Sequence, residues 1–252
     1  MALIEARGLC LDFPYYHIGA RSLKKRLLGN ARLHTDPSNR VVVTALRDLS
    51  FTIRDGERVA LVGHNGAGKT TLLRMLAGVY EPVAGRLTVA GTIGAMIDVS
   101  AGLDPESTGR QNVRLRCLYR GMADADTAAL TAEVEEFAGL GEFFDVPIRT
   151  YSAGMGVRLA FAMATAMQPE VLLMDEWFLA GDAGFLAKAE ERLARLVTGA
   201  DIMVVATHDY GVVRRWCTRA IRLEGGIITA DGTVDEVLGP VPEADQPVRT
   251  TV

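Results

Sequence analysis

Long apolar runs are missing from this chain. The longest, around Leu159 to Met167, is closed by Gln168-Pro169-Glu170, short of the roughly 18 uninterrupted apolar residues that a bilayer-crossing helix needs. The N-terminus, Met1 to Arg7, has neither a basic start followed by an apolar core nor a small-residue cleavage site. Nothing there marks the chain for secretion, and a cytoplasmic place is expected. Cysteine is scarce. Cys10, Cys117 and Cys217 are too few and too scattered for a disulfide framework or a metal knuckle, so they are expected to be buried free thiols. The four histidines show no ligand spacing. Positive charge is not in excess either: the net charge is −4 at pH 7, which argues against nonspecific binding to nucleic acid.

What is present is an ordinary globular composition. Hydrophobic residues make up 49% and charged residues 23% of 252 residues, enough for a large core in one domain, or one domain with an inserted subdomain. Charge is uneven along the chain. Between Gly19 and Arg40, Arg21, Lys24, Lys25, Arg26, Arg32 and Arg40 stand against Asp36 alone. Two readings of that segment stand: a solvated surface loop, or a patch resting on anionic headgroups.

Apolar periodicity gives the framework. Leu3 to Leu9 reads as a short strand and turn, followed by an irregular Phe13-Pro14-Tyr15-Tyr16. Val41 to Ile53 alternates into a strand, Arg54-Asp55-Gly56-Glu57 turns, and Arg58 to Val62 is an apolar run suited to a buried parallel strand. The pattern is helical from about Arg110 to Leu140, too long a detour for simple strand and helix alternation, and predicts an inserted helical subdomain. A further helix is expected over Met155 to Met167.

Directly after the Arg58 to Val62 run, Gly63-His64-Asn65-Gly66-Ala67-Gly68-Lys69-Thr70 fits G-x-x-x-x-G-K-[ST] at every fixed position and leads through Thr71 into a helix stopped by Gly78. Glycines let successive backbone N–H groups converge on phosphates, and the helix N-terminus adds to that field. Lys69 supplies a point charge for the β- and γ-phosphates of a nucleoside triphosphate, and the Thr70 hydroxyl a ligand for Mg²⁺. Val171-Leu172-Leu173-Met174 then ends in Asp175 and Glu176. Asp175 is expected to hold Mg²⁺ through water and Glu176 to polarise the attacking water. Ile202 to Ala206 forms another strand, ending at Thr207-His208-Asp209, which sets His208 at the same sheet edge as a γ-phosphate contact.

This series resembles the ATP-binding cassette (ABC) family. Tyr151-Ser152-Ala153-Gly154-Met155 occupies the signature position, with Ser152 lying 23 residues ahead of Asp175. Ser152 and Gly154 can offer a hydroxyl and backbone N–H groups to a phosphate, and Ser152 can equally cap its own helix. The segment is similar to the Tyr-Ser-Ser-Gly-Met of polysaccharide-exporter ATP-binding subunits, the O-antigen, teichoic acid and capsule group. So are Ala101-Gly102-Leu103-Asp104-Pro105-Glu106-Ser107-Thr108-Gly109-Arg110-Gln111-Asn112, Asp145-Val146-Pro147, Val157 to Ala162, and Ala180 to Phe185. The likeness runs from about Ile4 to Leu238.

The resemblance implies an α/β fold, a P-loop NTPase core of the RecA type with an antiparallel β subdomain and the helical subdomain inserted at about 100–165. Together these make one nucleotide-binding domain over 1–238, with 239–252 a flexible tail too short for the carbohydrate-binding domain of larger exporters. It implies that Asp182 communicates between the two sites of a dimer and that Tyr15 or Tyr16 stacks on adenine, although a tyrosine there can equally pack. Asp98 falls where most cassettes carry a glutamine that senses Mg²⁺ and the membrane domain; the exporter subfamily tends to have an acid there. An acid ligates Mg²⁺ more strongly than an amide, so the resemblance adds Asp98 to Thr70 and Asp175 as a metal residue. Trp177 replaces the proline that usually follows the catalytic Glu. The implied assembly is a head-to-tail homodimer enclosing two ATP, coupled to an integral-membrane permease near Asp98 to Gln111. The implied activity is ATP hydrolysis driving export of a lipid-linked polysaccharide handled mainly by the permease, at the cytoplasmic face of the inner membrane and with no nucleic acid involved. The rivals are a soluble cassette acting on ribosomes or DNA, which usually carries two cassettes or a long coiled coil, and a P-loop kinase, against which the signature and the Asp175-Glu176 pair speak.

Overall fold

The computed structural model describes residues 1–14, 33–35, 41–98, 102–176 and 183–240. The basic segment over 21–40, apart from 33–35, falls outside them, as do most of the tail and Trp177. The chain divides into two compact units: Met1–Gly91, Leu173–Glu176 and Asp201–Val252 in the first, Thr92–Leu172 and Trp177–Ala200 in the second.

In chain order the elements are β1 (Leu3–Pro14), β2 (Leu33–Thr35), β3 (Val41–Arg54), β4 (Arg58–Val62), α1 (Lys69–Leu76), β5 (Ala84–Ala90) and β6 (Ile93–Met96). Three helices follow, α2 (Gly109–Tyr119), α3 (Asp124–Ala138) and α4 (Ala153–Thr165), with two short 3₁₀ turns between the last two. The chain closes with β7 (Val171–Asp175), α5 (Ala183–Gly199), β8 (Ile202–Ala206), α6 (Tyr210–Trp216), β9 (Arg219–Glu224), β10 (Ile227–Thr233) and α7 (Val234–Leu238).

The first unit holds an antiparallel sheet in the order β2-β3-β1-β5 and a second sheet in which β10, β9, β4, β8 and β7 lie side by side in that order. In the second sheet β4 pairs parallel with both β8 and β9. All five residues of β8 are buried, as are four of the five in β4. Such strands cannot alternate, because both faces are covered, and the uninterrupted Val/Ile/Leu/Ala runs follow from that. Strand β1 is longer than its pattern predicts. Gly8, expected to turn the chain, sits inside the strand at φ +59°. It forms a bulge where the β1–β3 register shifts between Ala6 and Leu9, and its N–H donates to Ser50 Oγ at 2.8 Å. The glycine therefore bends the strand without ending it, and Phe13 and Pro14 pair with Val43 and Val42.

In the second unit the expected stretch from Arg110 to Leu140 is two helices, broken where Gly121 takes φ +67°. Thr108 opens α2 with a capping box closed by Gln111. Val113, Cys117, Val134, Ala138, Phe144, Leu159 and Ala162 interlock as one buried cluster. Arg110 lies 5.0 Å above the Phe144 ring and donates to both oxygens of Asp145, at 2.6 and 3.0 Å, a bidentate pair that fixes the loop carrying Phe144. The helix expected from Met155 to Met167 begins and ends two residues earlier, over Ala153–Thr165. Its start is set by Ser152, whose Oγ accepts the Met155 N–H at 3.2 Å. At its end the Thr165 carbonyl is taken by two donors of the Arg192 guanidinium, at 3.2 and 3.1 Å.

No helix among the described residues is long and apolar enough to cross a membrane. All three thiols are free, but only Cys117 and Cys217 are buried. Cys10 is half-buried, because its place in β1 leaves Sγ beside the bulge, where it donates to Gly8 O and accepts from the Asp48 N–H. Burial pushes the Cys217 thiol up to about 12, so it stays protonated and inert at neutral pH. Iodoacetamide at pH 8 under native conditions is therefore expected to modify Cys10 first and to spare Cys217 until the protein is unfolded, as read by mass spectrometry of the intact chain and its peptides.

Candidate functional site

The turn after β4 is built from glycines that the surroundings require. Gly63, Gly66 and Gly68 have φ of +146°, +76° and +113°, a backbone that L side chains rarely adopt. Two of them are also sterically locked. A Cβ on Gly63 would lie 2.1 Å from the Leu223 carbonyl oxygen, and one on Gly68 would lie 2.8 Å from Leu46 Cδ2. Gly66 meets nothing within 4 Å. The turn is tied down by two further hydrogen bonds: the Ala67 N–H donates to His64 O at 3.1 Å, and the Gly226 N–H donates to Ala67 O at 2.9 Å. Helix α1 then starts on Gly68 with no capping side chain and no acid in its first turn. A helix N-terminus left in this state attracts anions.

Lys69 is buried at the start of α1. Its ammonium donates to the carbonyls of Gly63 and His64, at 2.7 and 3.2 Å, and lies 3.3 Å from His208 Nε2. An ammonium can only donate, so as a hydrogen bond this last contact calls on a ring-nitrogen lone pair. Burial pushes Lys69 below the ordinary lysine range, and the charges of Glu176 and then Asp175 pull it back. Thr70 and Thr71 follow in the first turn, both half-buried, whereas His64, Asn65 and Gly66 are exposed at the crest of the loop.

Opposite this cation stands the end of β7. Asp175 is half-buried and Glu176 is exposed. Glu176 has φ +68°, a left-handed conformation that costs a non-glycine residue about 1 kcal/mol or more. Two contacts with the end of β8 hold it: its N–H donates to Ala206 O at 2.7 Å, and the Thr207 hydroxyl lies 3.2 Å from its Oε2. Its other oxygen, Oε1, lies 3.9 Å from His208 Nε2, beyond hydrogen-bond reach. His208 itself is 49% exposed at its side chain.

The structure therefore brings Gly63 to Thr71, Asp175, Glu176 and His208 together within one unit, as the spacing of their motifs predicts. Ser152 and Gly154 belong to the second unit, where Ser152 caps α4 and Gly154 lies in its first turn. Asp98 is an exposed residue of that unit. Tyr15, Tyr16 and Asp182 lie outside the described residues. Thr207 is the contact that sequence reading passed over. The signal was a hydroxyl residue directly ahead of His208, but nothing in the sequence tells which carboxylate it meets.

The family described as ABC transporter matches residues 46–179. The chain is 41% identical over 231 residues to the O-antigen export system ATP-binding protein RfbE of Yersinia enterocolitica, covering 90% of this chain and 97% of that one. It is 38% identical to the O-antigen export system ATP-binding protein RfbB of Myxococcus xanthus, spanning 51% of that longer protein. Among solved structures it is similar to a dimeric ATP-binding cassette in a post-hydrolysis state bound to ADP and Pi. The TM-score there is 0.67 at 22% identity, covering 92% of this chain and 98% of that one, a likeness of fold.

The glycine geometry separates two substitutions of the same kind. Gly66→Ala adds only backbone strain of about 1 kcal/mol and is expected to fold with a small drop in Tm. Gly63→Ala drives a methyl into a carbonyl oxygen and is expected to lose both ATP binding and several degrees of thermal stability. Thermal melts with and without ATP check both.

Proposed function

Because the chain belongs to the ABC transporter family and is an ATP-binding ATPase by that membership, we propose that it powers an exporter moving a lipid-linked polysaccharide of the O-antigen, teichoic acid or capsule type outward across the cytoplasmic membrane. The observation that carries this reading is the 41% identity over nearly the whole of both chains to an O-antigen export ATP-binding protein. The Tyr151-Ser152-Ala153-Gly154-Met155 segment supports it.

In this reading the backbone N–H groups of the loop from Gly63 to Gly68 and the uncapped first turn of α1 receive the phosphates of ATP. Lys69 turns its ammonium from its own loop carbonyls to the β- and γ-phosphates. Thr70 and Asp175 hold Mg²⁺. The donor set would fit that ion, because a threonine hydroxyl and an aspartate carboxylate are the hard oxygen donors that Mg²⁺ takes. When bound, Mg²⁺ neutralises charge on the phosphates. Glu176 accepts the proton of the attacking water, and His208 contacts the γ-phosphate.

Ser152 and Gly154, at the start of α4, serve the nucleotide of a second copy in a head-to-tail homodimer, so that each site is completed by its partner. Asp182 links the two sites, Tyr15 or Tyr16 stacks on adenine, and Asp98 senses Mg²⁺ and the membrane subunit. An integral-membrane permease docks near Asp98 to Gln111 and carries most of the glycan recognition, which places this subunit at the cytoplasmic face of the inner membrane.

Two outcomes check the reading. Glu176→Gln is expected to lower ATP turnover by roughly a hundredfold or more while ATP still binds and the dimer stays closed on gel filtration with Mg-ATP. The same variant, tagged and extracted from native membranes in mild detergent with Mg-ATP, is expected to bring down a multi-span membrane protein in stoichiometric amount by mass spectrometry. Ribosomal or DNA-repair proteins in its place overturn the exporter reading.

A further inference from the structure

The inference concerns Thr207, and it rests on the assignment of Glu176 as the base. Thr207 follows the last residue of β8 and is 1% exposed. Its Oγ1 accepts the Asp209 N–H at 3.1 Å and lies 3.2 Å from Glu176 Oε2. A hydroxyl has one proton to give, and an ionised carboxylate can only accept. The Thr207 proton is therefore committed to Glu176.

What stands behind that hydroxyl is rigid. Asp209 is the N-cap of α6, its carboxylate accepting from the N–H groups of Gly211 and Val212 at 2.8 and 3.2 Å. The residues ahead of Thr207 are wholly buried in β8. A buried, doubly engaged hydroxyl thus meets a carboxylate on a side chain that is 47% exposed and would otherwise rotate through its solvated rotamers. The contact takes one oxygen only. Oε1 is left facing the side on which His208 and Lys69 stand, and the backbone bond from the Glu176 N–H to Ala206 O fixes the root of the same side chain.

We propose that Thr207 is the positioning residue of this ATPase, holding Oε2 of Glu176 so that Oε1 is presented to the attacking water. It acts through Glu176, the one side chain among the described residues that its hydroxyl meets at hydrogen-bond distance. Removing the hydroxyl leaves the binding loop intact and lets the base wander, which costs rate and not affinity.

The test uses the full chain, with Thr207→Val and Thr207→Ala as two hydroxyl-free variants of different volume and Thr207→Ser as the rescue. Each is checked by thermal melting, and ATP hydrolysis and ATP affinity are measured together. Expected are a drop in kcat of about tenfold in both hydroxyl-free forms, KM and affinity within about twofold, recovery of kcat in Thr207→Ser, and no further loss when Thr207→Val is added to Glu176→Gln. Unchanged kcat in the Val and Ala forms while Glu176→Gln stops turnover overturns the positioning role and leaves the base assignment standing. So does a serine form as slow as the valine form, or a loss of affinity in step with rate. Normal turnover by Glu176→Gln alone overturns the base assignment, and the role of Thr207 falls with it.

Discussion

The loop between β4 and α1 keeps its shape because its glycines are crowded from two sides, by the backbone of Leu223 at Gly63 and by the Leu46 side chain at Gly68. Gly63 lies against the Leu223 carbonyl at the end of β9, and Gly68 against Leu46 in β3. Gly226 lies against the Ala45 carbonyl, and its own carbonyl accepts the Arg47 N–H at 2.8 Å. Strands of both sheets of this unit are thus keyed to one turn. Everything the site does depends on that fit, since it fixes where the first N–H groups of α1 point and where Lys69 starts.

Charge is distributed around the turn with equal economy. The cation is buried and the anions are not: Lys69 is nearly sealed, whereas Glu176 is exposed and Asp175 half-buried. Burial weakens the hold of Lys69 on its proton, and the two carboxylates restore part of it. Lysine, histidine and glutamate form a line in which His208 Nε2 sits between an ammonium at 3.3 Å and a carboxylate oxygen at 3.9 Å. Lys69 is the one cation of this line, and an anionic group is attracted to it.

Much of this was legible in the sequence, and the reasons differ by residue. The Gly63 to Thr70 spacing, the apolar runs ending in Asp175 and Glu176, and the strand ahead of His208 are local patterns whose chemistry demands their order, so they read directly. Gly8 was misread because a glycine at positive φ serves equally in a turn and in a bulge, and only the partner strand decides. The start of α4 was misplaced because the pattern of apolar residues says nothing of the cap; the hydroxyl of Ser152 sets it. Thr207 shows only as a hydroxyl ahead of His208, and its partner cannot be read from that, since Glu176 lies 31 positions away.

The hydrogen bonds that Lys69 makes within its own loop bear on what the site selects. Its ammonium already has neutral carbonyl oxygens as acceptors, so an incoming ligand competes with bonds that exist and does not fill a gap. Affinity then measures a difference between two sets of oxygens. Charged phosphate oxygens win that exchange because bonds between ionised partners are stronger than those to neutral carbonyls. A ligand lacking phosphate offers nothing better than the loop carbonyls themselves, so discrimination against bare nucleosides and neutral sugars is built into the loop, apart from any contact to the base.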